Sequence, residues 1–136
     1  MIENIETLVI QNKDLNSIME EFNANKPYEA CGVLTGTILG NTATVERAIS
    51  ITNVRRTHSS FELDPQQLYN AWSDADKNGK DIVGIYHTHP SFLAIPSSWD
   101  RETMKNNNSV WLIAGTDGTK AYILDGDIKP VRLEII

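Results

Sequence analysis

Two histidines one residue apart, His87 and His89, are followed by Pro90 and then by Ser97-Ser98-Trp99-Asp100, so three side chains able to ligate a metal fall within fourteen residues. The run before them, DIVGIY, reads as a β-strand, and alternation along a strand puts both imidazoles on one face while Thr88 points away. Asp100 can return on the next element as an oxygen ligand. Two imidazoles, one carboxylate and an open fourth position for water make the ligand count of a hydrolytic zinc site rather than a structural one. Water in such a site has its pKa lowered toward about 7, and amide hydrolysis then needs a base for that proton and an acid for the leaving amine. One carboxylate beside the water can serve as both.

Glu29, in PYEACGVL, is the candidate for that carboxylate, because it stands just ahead of a predicted core strand, between Pro27 and Gly32. By spacing alone a solvated surface glutamate is the more ordinary reading. Ser97-x-x-Asp100 also has two readings. A serine with an acid three residues on is a capping box, and an acid held near a helix start is also a rigid platform for a ligand, with the Ser97 hydroxyl free to stabilise an oxyanion. His58, in RRTHSS, has no partner at ligand spacing and reads as a surface histidine. Cys31 opens an apolar run and reads as a small buried hydrophobe rather than a nucleophile. As the only cysteine it excludes both an intrachain disulfide and a cysteine-rich metal site.

These residues need a scaffold, and the sequence supplies one. Residues 5–10 read as a strand and residues 14–25 as a helix with Leu15, Ile18, Met19 and Phe22 on one face, Asp14 as its N-cap and Pro27 as its end. ACGVLTGTIL and NTATVERAIS are β-branched runs joined at Gly40-Asn41, a hairpin signal. NVRRTHSS reads as a loop, FEL as a short strand, and Asp64-Pro65 opens a second helix that Asn78-Gly79 stops after Lys77. SSWDRETMKNN reads as a short third helix, and SVWLIAG, KAYILDG and DIKPVRLEII as closing strands. The expected class is α/β, a mixed sheet flanked by helices, with residues 1–136 as one domain.

Composition narrows the partners. Eighteen acidic against twelve basic side chains give a net charge of −6, which opposes binding of a phosphate backbone, so nucleic acid is not an expected partner. No run approaches the roughly 20 apolar residues of a membrane span, and the start of the chain has neither a basic leader nor a small-residue cleavage site, so a cytoplasmic location is expected.

With Glu29, His87-Thr88-His89-Pro90 and Ser97-Ser98-Trp99-Asp100 in this order, and Ser97 eight residues after His89, the chain resembles the JAMM (MPN+) metalloproteases. The likeness extends to PYEACGVLTG, to Asn53 with FELDP, and to GIYHTHP. It implies a cytidine-deaminase-like core with a curved mixed sheet. It also implies one zinc ion on His87, His89 and Asp100 with a water in the fourth position, Glu29 as general acid/base, and Ser97 supporting the tetrahedral intermediate. The implied activity is hydrolysis of isopeptide or peptide bonds at the C-terminus of a ubiquitin-like or sulfur-carrier protein, whose Gly-Gly-type tail would lie extended beside an exposed strand edge. With only about eight residues between Asp100 and the next strand, the chain resembles the compact prokaryotic type. The alternative is a non-catalytic scaffold of the same fold, against which the intact five-residue pattern argues.

Overall fold

A computed structural model describes residues 4–136; the reading of the start of the chain as free of a leader concerns in part residues 1–3, outside that range. The elements in chain order are β1 (Thr7–Ile10), α1 (Asn12–Asn25), β2 (Cys31–Leu39), β3 (Thr42–Ile51), α2 (Pro65–Lys77), β4 (Asp81–Thr88), α3 (Ser98–Met104), β5 (Val110–Gly115), β6 (Gly118–Asp125) and β7 (Asp127–Ile135). The strands order as β1-β3-β2-β4-β5-β6-β7, and β1 pairs in parallel with both β3 and β7, so the mixed sheet closes on itself. Closure leaves every named strand with two neighbours, which corrects the expectation of an exposed strand edge. The twist of a seven-stranded sheet has here been carried to full curvature, which removes the edges.

The two faces of the sheet bury different things. Leu15, Ile18 and Phe22 of α1 pack with Leu8, Leu34, Val45, Tyr86 and Leu112, so the sheet wraps this helix. On the other face α3 supplies Met104 to a cluster with Cys31, Phe61, Ile85 and Trp111, and α2 supplies Ala71 to one with Val33 and Ile51. Covered on both sides, β2 is buried throughout Cys31–Gly36, and β5 is buried along its whole length.

Local chemistry explains most boundaries. Gly40 takes φ +63° in the turn between β2 and β3, a conformation that favours glycine. The Asp64 carboxylate accepts from the N–H groups of Gln66 and Gln67 ahead of Pro65. Three expectations need correction. Helix α1 begins at Asn12 with Gln11 at the N-cap and no side-chain cap, so Asp14 sits in the first turn, buried. FEL contributes a single bridge, Asn53 to Leu63, rather than a strand, and α3 stops at Met104.

Candidate metal centre

Strand β4 carries Val83 and Tyr86 toward α1 but Ile85 toward α3, because the β2–β4 register shifts where Leu34 faces Gly84 and Thr35 faces Ile82. Past that shift the alternation is regular, and His87 emerges on the Ile85 side. Its ring stacks on Phe61, centroids 4.4 Å apart, with the Trp111 ring at 5.5 Å. His89 lies just beyond the strand, its N–H donating to the Ala114 carbonyl at 2.7 Å, which continues the parallel β4–β5 ladder. Thr88 points to the opposite side, where its Oγ1 accepts the Ala30 N–H at 2.9 Å.

The two imidazole Nε2 atoms stand 3.1 Å apart. Nε2 of His87 is 3.1 Å from both Asp100 oxygens, and Nε2 of His89 is 3.0 Å from Oδ2. Four-coordinate zinc with bonds of about 2.0–2.1 Å sets neighbouring ligand atoms about 3.3 Å apart, so this spacing matches a cradle for one ion. The His89 ring is oriented through Nδ1, which donates to the Leu93 carbonyl at 2.8 Å and leaves the Nε2 lone pair for the centre. Glu29, buried at 4 % exposure, offers an oxygen within 4.8 Å of ligand atoms of both histidines. Its Oε1 is buried without a hydrogen-bond partner among the described residues. Glu29 and Asp100 both qualify as oxygen donors by proximity. The shorter distances group Asp100 with the two imidazoles, and Glu29 makes no hydrogen bond to either ring.

Electrostatics separates the two acids. Burial pushes Glu29 up to about 8, with the nearby His89 pulling down and Asp100 adding to the rise. Burial acts in the same sense on Asp100, but His87, His89 and the Ser97 N–H outweigh it and hold its carboxyl well below the usual range. Burial lowers His87 despite Asp100. For His89 burial is outweighed by Asp100 and the Leu93 carbonyl, which raise it. The result is an ionised carboxylate against the imidazoles and a proton-holding one beside them.

Ser97 and Asp100 form a complete capping box: Ser97 Oγ accepts the Asp100 N–H at 3.1 Å, and Asp100 Oδ2 accepts the Ser97 N–H at 2.9 Å. The two readings of this pair are compatible. A hydroxyl that accepts at the cap keeps its proton to donate elsewhere, and Ser97 lines the same cleft as Glu29 and His89. The loop between the histidines and α3 is fastened from outside. Ala94 N–H donates to Asp117, Tyr122 OH to the Ala94 carbonyl, and the Thr116 N–H to the Phe92 carbonyl.

The structure thus brings Glu29, His87, His89, Ser97 and Asp100 together: Glu29, His89 and Ser97 line the cleft, and His87 and Asp100 are buried against His89. Cys31 is buried, packed against Phe61 and Ile85, with burial raising its thiol to about 12, which keeps it out of nucleophilic chemistry. His58 adds to the expectation. It is exposed, as a surface histidine would be, but it lines the cleft with Glu29, His89 and Ser97. Its position depends on the path of a loop, and no spacing rule predicts that.

A buried pair of converging imidazoles with two carboxylates beside them is a group that could hold a metal ion. Residues 11–125 match the model of the prokaryotic homologues of the JAB domain, and the chain belongs to that family. It is 31% identical to a desampylase of Pyrococcus furiosus over 96% of this chain and 90% of that protein. It is 28% identical to a CysO-cysteine peptidase of Mycobacterium tuberculosis over 95% of this chain and 91% of that one. The solution structure of protein DSY2949 from Desulfitobacterium hafniense superposes with a TM-score of 0.85 at 24% identity, over 96% of this chain and 92% of that one, a likeness of fold. These relationships make the chain a JAMM-type hydrolase.

Proposed function

We propose that this protein is a zinc-dependent peptidase that hydrolyses the isopeptide or peptide bond after the C-terminus of a ubiquitin-like or sulfur-carrier protein. The observation that carries the reading is the convergence of both histidine Nε2 atoms and Asp100 within 3.1 Å, with Glu29 within 4.8 Å of the histidines. The names of the relatives, desampylase and CysO-cysteine peptidase, supply the substrate class.

His87, His89 and Asp100 would hold the zinc. When bound, the ion supplies a Lewis acid that polarises the scissile carbonyl and acidifies water. Burial raises Glu29 to about 8 in the metal-free protein; with a cation in the cradle to offset that burial its carboxylate would be ionised, and it takes the proton from water and passes it to the leaving nitrogen. The Ser97 hydroxyl donates toward the carbonyl oxygen as charge gathers there. Phe61 and Trp111 around His87 keep the ring fixed and exclude bulk water.

A larger cavity of about 450 Å³ adjoins the site, walled by Phe61, Leu63, Ile85, Trp99 and Trp111. We assign it to the carrier's tail. On either side of the Asn53–Leu63 bridge the Glu62 carbonyl accepts the Val54 N–H and the Asp64 N–H donates to the Thr52 carbonyl. The backbone groups of Leu63, in this isolated bridge outside the closed sheet, then face away from Asn53 toward the cavity, where an extended Gly-Gly-type tail pairs with them. Among the described residues no helix is long and apolar enough to cross a membrane, and a cytoplasmic location, with neither nucleic acid nor membrane as partner, belongs to the same proposal.

The test is incubation of the zinc-loaded protein with the host's own ubiquitin-like proteins, as linear fusions and as conjugates, with and without chelator. Cleavage after the carrier's last residue, abolished by chelator and by Glu29→Gln, is expected. A purified protein without near-stoichiometric zinc, or a Glu29→Gln variant as fast as wild type, would overturn it.

A further inference from the structure

His58 has neither a hydrogen bond nor an ion pair among the described residues, yet the loop bearing it is held over the cleft from both sides. The Thr57 carbonyl accepts the Glu29 N–H at 3.1 Å, and Asn53 Nδ2 donates to the Glu29 carbonyl at 3.0 Å. The Arg55 guanidinium lies 4.3 Å from the Trp99 ring centroid and that of Arg56 lies 5.0 Å from Tyr28. These are the neighbours of Asp100 and Glu29 in sequence. Arg56 adopts φ +46°, a left-handed conformation that costs free energy in a residue other than glycine. Thr57 Oγ1 accepts the Ser60 N–H at 2.9 Å and closes the turn that presents His58. Four anchoring contacts hold in place, against the strain at Arg56, an imidazole that packs into no core.

Two cavities flank the centre, and catalysis distinguishes them. The acid that protonates the leaving nitrogen must face it, so the leaving group lies on the Glu29 side. Of these two, Glu29 lines the smaller cavity, about 140 Å³, together with His58, His89 and Ser97. The larger one, beside Phe61 and Trp99, falls to the acyl side. Resting on the peptidase reading above, we propose that His58 is a specificity-determining residue that donates a hydrogen bond to the main-chain oxygen of the leaving residue. An imidazole has at least one N–H in either protonation state, so the donor is always present. When the scissile nitrogen is an α-amine, the carbonyl or carboxylate oxygen of that residue lies three bonds away, inside the small cavity. When it is a lysine ε-amine, the corresponding oxygen lies at the far end of the side chain, beyond it. His58 therefore favours α-linked leaving groups, linear extensions or single amino-acid adducts, over ε-linked conjugates.

The experiment compares wild type with His58→Ala and His58→Gln on one carrier protein whose C-terminus is joined either to an α-amine or to a lysine ε-amine, with zinc content measured in parallel. Loss of the hydrogen bond should lower kcat/KM about ten-fold on the α-linked substrate and less than two-fold on the ε-linked one, with zinc unchanged. Equal losses on both, no loss on the α-linked substrate, or loss of zinc would each overturn the assignment. If wild type cleaves neither substrate, the peptidase reading fails by itself. The contact is still read by NMR, where Gly-Gly-Ala should shift the His58 ring signals, assigned with His58→Gln, and Gly-Gly joined to a lysine ε-amine should not. Equal shifts or none would dismiss the contact.

Discussion

The backbone N–H of Ala30 donates to the side-chain oxygen of Thr88 across 2.9 Å, and the Thr88 N–H returns a bond to the Ala30 carbonyl at 3.0 Å. Glu29 precedes the first of these residues, and His87 and His89 flank the second. The acid/base candidate and both imidazoles are therefore fixed to one another by a single reciprocal clasp, buried and closed to water. Thr88, the residue of the His-x-His motif that turns away from the metal centre, sets the distance at which Glu29 works.

Replacing that clasp tests it. Thr88→Val keeps the shape of the side chain but leaves the Ala30 N–H buried without an acceptor, a cost of about 1–3 kcal/mol. We expect a lower unfolding midpoint in denaturant, with zinc content retained and kcat reduced. Thr88→Ser, which keeps the oxygen, should recover most of both.

Ser97 has two jobs that substitution can separate. Glycine at an N-cap costs only a few tenths of a kcal/mol, whereas alanine costs about 1 kcal/mol. Ser97→Gly should therefore unfold close to wild type while losing about 100-fold in kcat, the scale for one oxyanion donor. Ser97→Ala should lose stability as well. Equal activity of Ser97→Gly and wild type would remove Ser97 from the chemistry.

Metal removal exposes the electrostatics of the acids. In the metal-free protein Glu29 holds its proton to about pH 8 when folded but to about 4.5 when unfolded. The folded state binds the extra proton, so this contribution to stability is full below pH 4.5 and is lost as pH rises to 8. The slope is at most about 1.4 kcal/mol per pH unit. Asp100 has the opposite sign: its depressed pKa stabilises above the ordinary carboxylate range and the benefit disappears on acidification. Thermal unfolding in chelator should show Glu29→Gln more stable than wild type at pH 9, with the difference closing toward pH 5.

Gly115 controls the ring orientation of His89 at a distance. A Cβ there would stand 2.3 Å from the Ala94 nitrogen and 2.5 Å from the Leu93 carbonyl carbon, both backbone atoms. Gly115→Ala should push the loop outward and withdraw the Leu93 carbonyl from His89 Nδ1. Ten- to hundred-fold weaker zinc binding is expected, the scale for losing an outer-shell partner, measured by competition with a chromogenic chelator.

Much of this molecule was written in local chemistry. Asp64-Pro65, Gly40-Asn41 and Asn78-Gly79 set boundaries that the structure keeps, because caps and turns are satisfied by atoms a few residues apart. The set of residues in the cleft was legible too, because the His-x-His alternation and the Ser-x-x-Asp box are short-range geometry, and because the spacing of the whole pattern resembles a family. The start of α1 was not legible. Asp14 is a better cap than Gln11, but the β1 strand and its pairing with β7 decide where the helix turns in. The sequence by itself determined which side chains could hold an ion and that a carboxylate must accompany them. Only the tertiary structure decided that Glu29 is buried enough to keep its proton near neutral pH, that the sheet closes and leaves no strand edge, and that His58 faces the cleft. Desolvation, closure and loop path are sums over contacts between residues far apart in the chain, and no local spacing encodes them.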